Sequence, residues 1–248
     1  AKFYHDIKFE NIKKISFLFF PFLILIIPFV FVVIQPDLGT SLSIIILGVF
    51  ILFIAGVRIW KFILGLIVTM VSIPVVLQFI KPYQRDRIVS FLNPESDPLG
   101  QGYQLIQSKI ALGSGGATGK GFLEGTQSYL EYLPEKQTDF IFTLIGEEFG
   151  FLGTMFIIFT FVLLIAVCYF ISIKCFHTFG RILALGVASN VFIYVFMNIA
   201  MVSGLMPVVG IPLPLISYGG SVMLSIMISM GLVLNVELNY NLKKLHNA

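Results

Sequence analysis

DFIFTLIGEEFGFLGTMFIIFTFVLLIAVCYFISI, residues 139–173, is some 35 residues long and carries only three charges, Asp139, Glu147 and Glu148, all near its start. About 18 apolar residues in a row suffice to cross the hydrocarbon core of a bilayer, roughly 30 Å thick, as a helix. This run is longer than a bilayer needs, so its first turns are expected to stand in the aqueous phase. The rest of the chain agrees. Of 248 residues, 57% are hydrophobic and 12% charged, where a soluble domain carries roughly 25% charged residues. With a mean hydropathy of +0.96, the polar side chains cannot cover a water-soluble globule of this size. The 26 Phe suit surfaces that face lipid.

Five further apolar runs read as spans: 15–34, with Pro21 and Pro28 inside; 41–57, after a tight turn at residues 35–40; 62–80, with Pro74 inside; 181–202; and 215–236. Proline is tolerated within a membrane helix where neighbours satisfy the freed carbonyls. The expected fold class is therefore all-α, a polytopic transmembrane helical bundle of about six spans forming one membrane domain over 1–248. Residues 81–138 differ in kind, being polar, charged and Gly-rich with Pro82, Pro94, Pro98 and Pro134. A loop this long in a compact protein is generally functional. Within it, Gln101–Leu112 puts Tyr103, Ile106 and Ile110 on one helical face, which predicts a short amphipathic helix lying on the membrane or in a groove.

Lys and Arg in short flanking segments set the orientation. Lys2, Lys8, Lys13 and Lys14, then Arg58 and Lys61, then Lys174 and Arg181, then Lys243 and Lys244 fall on one side, while the short turns around Asp37 and Pro207 carry no basic residue. Both ends are expected in the cytoplasm and segment 81–138 outside. The chain opens without Met in a polar stretch, Ala1–Lys14, that reads like a loop between helices, so an N-terminal truncation is expected.

A net charge of +3 implies no nucleic-acid partner. Cys168 and Cys175 are expected as free thiols. His5, His177 and His246 all map to the inner side, which leaves the outer loop without a His for catalysis or a metal. The carboxylates are more informative. Asp139 opens the fourth helix, with Thr138 as a plausible N-cap, and a first-turn carboxylate is favoured by the helix dipole by roughly 0.3–1 kcal/mol. On position alone an ordinary helix-start aspartate is the plainer reading. Thr143 and Glu147 continue its stripe; Glu148 points elsewhere, and charged residues near hydrocarbon need a partner or water. Gly146, Gly150 and Gly153 form a small-residue face suited to close helix packing.

Residues 113–121, GSGGATGKG, fail as a nucleotide loop, which needs Gly at Ser114 and Ser or Thr at Gly121. Such a backbone can still form an anion-binding nest, and Lys109, Lys120, Arg85 and Arg87 are near it in sequence. A flexible connector with solvated charges is the simpler alternative. Asp37 suits turn chemistry. Leu213–Ser221 places hydroxyls and glycines at the outer end of the last helix.

Eight stretches occur in order from Gln35 to Ser221: QPDLGT (35–40), PYQRDR (82–87), NPESDPLG (93–100), QSKIALG (107–113), GKG (119–121), TDFIF (138–142), GEE (146–148) and PLPLISYGGS (212–221). Together they resemble the SEDS family (shape, elongation, division and sporulation). In the loop the chain is more similar to the rod-shape members than to the division members. The resemblance implies about ten spans, so roughly four would precede these six. It implies polymerisation of lipid II into glycan strands at the outer face of the bacterial inner membrane during cell-wall elongation. It also implies, as partners, the nascent glycan strand, a class B penicillin-binding transpeptidase and other elongation-complex proteins. The family's essential carboxylate is the Asp of TDFIF, here Asp139; family members often carry His where Gln137 stands.

The implied reaction joins a sugar 4-hydroxyl to an anomeric carbon bearing an α-linked polyprenyl diphosphate, with inversion. One carboxylate, Asp139, removes the acceptor proton. Cationic groups, or a divalent metal such as Mg2+, stabilise the departing diphosphate; the sequence itself shows no metal site. Lys109, Lys120, Arg85 and Arg87 are the substrate-binding candidates, with Glu147 and Ser217 beside them. Two other classes remain, a lipid II flippase and a non-catalytic scaffold for a transpeptidase. Transport needs its charges along the bilayer midplane and catalysis needs them at the outer mouth, where this sequence clusters them. Single cysteines placed within 81–138 are expected to react with a membrane-impermeant maleimide applied from outside; reaction only after permeabilisation would invert the topology.

Overall fold

The computed structural model describes residues 1–5, 18–78, 81–97, 100–129, 133 and 135–246. Among them are α1 (Lys2–His5), α2 (Phe19–Ile34), α3 (Leu38–Ile54), α4 (Ile59–Gln78), α5 (Pro82–Leu92), α6 (Gln101–Ser114), α7 (Thr126–Tyr129), α8 (Ile141–Lys174), α9 (Thr178–Val202) and α10 (Gly220–His246). No strand occurs among the described residues. Helices α8, α9 and the Gly220–Tyr240 part of α10 are long and apolar enough to cross a membrane, and α2, α3 and Ile59–Pro74 of α4 are shorter apolar helices. The fold is the all-α polytopic bundle the composition requires. Residues 15–17 and 79–80 of the first and third expected spans lie outside the described residues.

The chain divides into two compact units. The first comprises Ala1–Val76, Leu163–Ile193 and Leu224–Ala248. Here α3 begins at Leu38, three residues before the expected Ser41, because Asp37 caps it. Its Oδ1 accepts the Thr40 N–H at 2.9 Å and its Oδ2 the Thr40 hydroxyl at 2.6 Å. The helix stops at Ile54 rather than Val57, where the chain turns through Gly56 at φ +91°. Cys168, Ile171, Ala184, Val187, Ala188 and Val233 form a buried core, and Cys168 and Cys175 are buried free thiols.

The second unit comprises Leu77–Val162 and Tyr194–Met223. Much of the expected loop is helix. Pro82 fits the first position of α5, where its missing N–H costs nothing, and Gln84 accepts the Lys81 N–H through its side chain at 3.2 Å. Asp97 then joins α5 to α6, accepting the Ser90 hydroxyl at 2.9 Å and the Gly102 N–H at 3.3 Å. These bonds, that from Gly102 foremost, hold its carboxyl below the usual carboxylate range.

Helix α6 packs against the protein through a different face from the apolar one. Gly102, Leu105, Ser108 and Ala111 are buried, while Tyr103 and Ile106 are half-buried and Ile110 is exposed. Two features override the apolar count. A side chain at Gly102 would run into the Pro94 carbonyl, so the backbone approaches closely there. Ser108, fully buried, donates to the Val202 carbonyl at 2.8 Å and pairs with the Thr143 hydroxyl at 2.7 Å. A buried hydroxyl with both bonds made is stable in a core.

Helix α8 is broken at Gly150, at φ 65° and ψ −160°. The carbonyls of Glu147 and Glu148 and the N–H groups of Phe151 and Leu152 would pair with each other in an unbroken helix. Here the glycine-rich segment supplies partners for all four. Lys120 and Gly121 donate to Glu147 and Glu148 at 3.0 Å each, and Phe151 and Leu152 donate to Gly116 and Ala117 at 2.9 and 3.1 Å. Non-helical backbone in a membrane protein is tolerated where protein satisfies it. The packing needs glycine on both sides: side chains at Gly115 and Gly119 would strike the Gly146 and Glu148 carbonyls, and one at Gly150 would strike the Gly119 N. Residues 113–121 are therefore packed against α8, and the N–H groups of Lys120 and Gly121 are already used. Gly150→Ala is expected to lose about 1–3 kcal/mol from backbone strain alone, with the clash in addition. A shift of the thermal unfolding midpoint in detergent measures it, and an unchanged midpoint refutes the account.

Candidate functional site

Asp139 lies in a turn, residues 135–140, ahead of α8 rather than in its first turn. The turn closes through the Glu135 carbonyl, which accepts the N–H groups of Thr138 and Phe140 at 3.3 and 3.2 Å. Thr138 is accordingly not a helix cap; its hydroxyl donates back to the Glu135 carboxylate at 2.9 Å. Phe140 is buried and anchors the turn, whereas Asp139 is half-buried.

Three successive peptide oxygens of this turn are held from outside it. The Gln137 carbonyl accepts the Tyr218 N–H at 2.9 Å. The Thr138 carbonyl accepts the Ser217 hydroxyl at 2.6 Å. The Asp139 carbonyl accepts the Asn198 side-chain amide at 2.8 Å. That amide also donates to the Ile211 carbonyl at 2.7 Å. The Asp139 carboxylate lies over Gly210, where an added Cβ would sit 3.2 Å from Oδ2.

Asn198 comes from α9, and Ser217 and Tyr218 from Pro212–Gly219, which is loop, so α10 starts at Gly220 and not at the expected Leu215. Ser217 explains the delay. Its hydroxyl accepts the Leu213 N–H at 2.7 Å while its own N–H donates to the Leu213 carbonyl at 2.9 Å. The ring encloses Leu215 at φ +63°, which no right-handed helix has. Ser217, expected to touch substrate, has its hydroxyl committed in both directions.

Glu147 is also not where a substrate would find it. It is 0% exposed and forms an ion pair with Lys120 at 2.8 Å. Its Oε1 also accepts the Thr126 hydroxyl at 3.2 Å and the Gln127 N–H at 3.0 Å, and Lys120 donates to Thr126 at 2.8 Å. A buried carboxylate needs this many donors to stay charged. Lys120, partly exposed, thus has a carboxylate as its partner. Glu148 is buried too. Of the remaining cations, Arg85 and Arg87 sit on α5 and Lys109 on α6. Arg85 and Lys109 are exposed, and the Arg87 Nη1 is buried without a hydrogen bond. The Lys109 side chain covers Gly204, which sits at φ +74°. A cavity of about 260 Å³ is lined by Leu112, Phe142, Gly146, Phe151, Thr154 and Ser203. Among the described residues no three of His, Cys, Asp and Glu gather as a metal site.

Sequence reading missed Asn198 and Gly210. Asn198 was visible as an amide inside an apolar span, the kind of residue that needs a partner in a membrane protein. Gly210 gave no signal beyond its place in a proline-rich turn.

A polytopic helical membrane protein that presents an acid on a pinned turn beside a polar loop is the class these features define. The chain belongs to the FtsW/RodA/SpoVE family of cell cycle proteins, whose model matches residues 1–242. It is 48% identical over 217 residues to the peptidoglycan glycosyltransferase MrdB of Escherichia coli K12, covering 86% of this chain and 58% of that protein. It is 42% identical over 243 residues to the probable peptidoglycan glycosyltransferase FtsW of Trichlorobacter lovleyi, covering 97% of this chain and 63% of that protein. The chain thus spans about three fifths of the length of the curated relatives it matches. A solved structure from work on coordination of polymerization and crosslinking by a peptidoglycan synthase complex matches at a TM-score of 0.73 and 33% identity, covering 89% of this chain and 61% of that one.

Lys120→Met removes the cation that pairs with the buried Glu147 and is expected to cost about 3 kcal/mol or more in unfolding free energy. Adding Glu147→Gln, which keeps the acceptor and drops the charge, is expected to recover much of that. Additive losses in the double-mutant cycle would show that the pair is not coupled.

Proposed function

We propose that this protein is a peptidoglycan glycosyltransferase that polymerises lipid II during cell-wall elongation, as a RodA-type member of its family. The observation that carries the reading is the half-buried Asp139 carboxylate on a turn fixed by three peptide-oxygen bonds. A general base must sit still at hydrogen-bond distance from the proton it takes, and a pinned turn meets that need. The relatives named above support the chemistry.

Asp139 accepts the proton of the acceptor sugar's 4-hydroxyl as that oxygen attacks the anomeric carbon of the donor. The bond to the polyprenyl diphosphate breaks on the opposite face, the centre inverts, and the diphosphate leaves with the bonding electrons. Arg85, Arg87 and Lys109 are the cations left to stabilise it, with the Arg87 Nη1 an unspent donor. Lys120 and Glu147 are joined in an ion pair. The cavity against Leu112 and Phe142 offers an apolar wall suited to an isoprenoid segment. The setting is the bacterial inner membrane, with both ends cytoplasmic and segment 81–138 outside, and the partner is a class B penicillin-binding transpeptidase. Transport of lipid II would require mobile buried charge, and the buried Glu147 is tied to Lys120.

Asp139→Asn keeps the shape and removes the base. In proteoliposomes with labelled lipid II, the protein at its full natural length is expected to polymerise, and the variant to lose at least about 100-fold in rate. Polymerisation by the variant at the unaltered rate would end the assignment.

A further inference from the structure

We propose that Asn198 and Ser217 are positioning residues for Asp139, acting on its backbone, and that Gly210 sets where its carboxylate can lie. This rests on the reading of Asp139 as the base and adds the device that aims it.

The geometry of Asn198 leaves one assignment. Its side chain is 0% exposed and faces two carbonyl oxygens, those of Asp139 and Ile211, at 2.8 and 2.7 Å. Carbonyls only accept, so the NH2 must face both and Oδ1 must point away. Oδ1 is buried and makes no hydrogen bond. The amide is a fork with one prong on the peptide of Asp139 and the other on Ile211, next to Gly210.

Ser217 does the same from the other side. It takes the Leu213 N–H and gives its proton to Thr138, so the 213–217 ring and the Asp139 turn share one hydroxyl. The ring holds Leu215 at φ +63°, a conformation a branched side chain adopts only under constraint. Strain kept in a segment whose outward bonds end on residues 137 and 138 suits a function of placement. Gly210, at φ +72°, lies beneath the carboxylate. A methyl there would stand 3.2 Å from Oδ2, tighter than ordinary contact, so the carboxylate would have to give way. Backbone on one side and bare Cα on the other thus confine the base.

The test uses the protein at its full natural length in proteoliposomes, with kcat and KM for lipid II measured beside the unfolding midpoint. Ser217→Ala, Asn198→Asp and Gly210→Ala are each expected to lower kcat about 10- to 100-fold per folded molecule with KM changed less than about twofold, the effect of displacing a catalytic group by about 1 Å. Asn198→Asp is isosteric and sets a carboxylate against two carbonyls. Ser217→Thr keeps the hydroxyl and is expected to restore most of the rate lost in Ser217→Ala. Full kcat in folded Ser217→Ala and Gly210→Ala overturns the proposal, as does a rise in KM without a fall in kcat. If Asn198→Asp does not fold, the other two variants decide. An active Asp139→Asn would instead remove the reading of the base, which separates the two failures.

Discussion

Peptide groups that leave the helix in an apolar chain must find partners within the protein, and two such sets of bonds organise this molecule. One set satisfies the break at Gly150, where residues 116–121 pair with four backbone groups of α8. The other satisfies the turn at 135–140, whose oxygens are met by Asn198, Ser217 and the Tyr218 N–H. Water would serve either set at a surface. Where protein covers these groups it is absent, and a buried backbone bond left unmade costs roughly 1–3 kcal/mol. The sequence therefore has to carry glycine, serine and asparagine at the matching places.

The buried ion pair follows from the same constraint. Lys120 approaches Glu147 because its own N–H is bonded to the Glu147 carbonyl, so backbone and side chain reach one residue together. The paired charge is a consequence of closing the break. Its neighbours Thr126 and Gln127 complete the shell around the carboxylate. The charges that sequence reading gathered into one anion site are sorted by this packing. Lys120, half-buried, is paired with Glu147, while Arg85 and Lys109 remain exposed.

Run length and charge were enough to read the helical spans and the polar segment between them, since those depend on solvent preference summed over many residues, whereas Asp139 stood out only through the TDFIF stretch of the family resemblance. Places where one residue's bonds decide were not legible. Tyr103, Ile106 and Ile110 outweigh Ser108 in any apolar count, yet Ser108 is buried because Thr143 and Val202 supply its partners. Gly146, Gly150 and Gly153 read as a packing face, although Gly150 bears a φ only glycine tolerates. The 213–217 ring concealed the start of α10, for it is set by a side chain bonding to the backbone four residues away. Such contacts link specific atoms and leave no periodic trace.

Because the loop grips residues 137–139 by their main-chain oxygens, the side chains of Gln137 and Thr138 are not what the grip recognises. Glutamine at 137, where the resemblance leads one to expect histidine, is exposed and leaves those attachments unaltered. Sequence drift at that position can therefore proceed without moving the acid beside it.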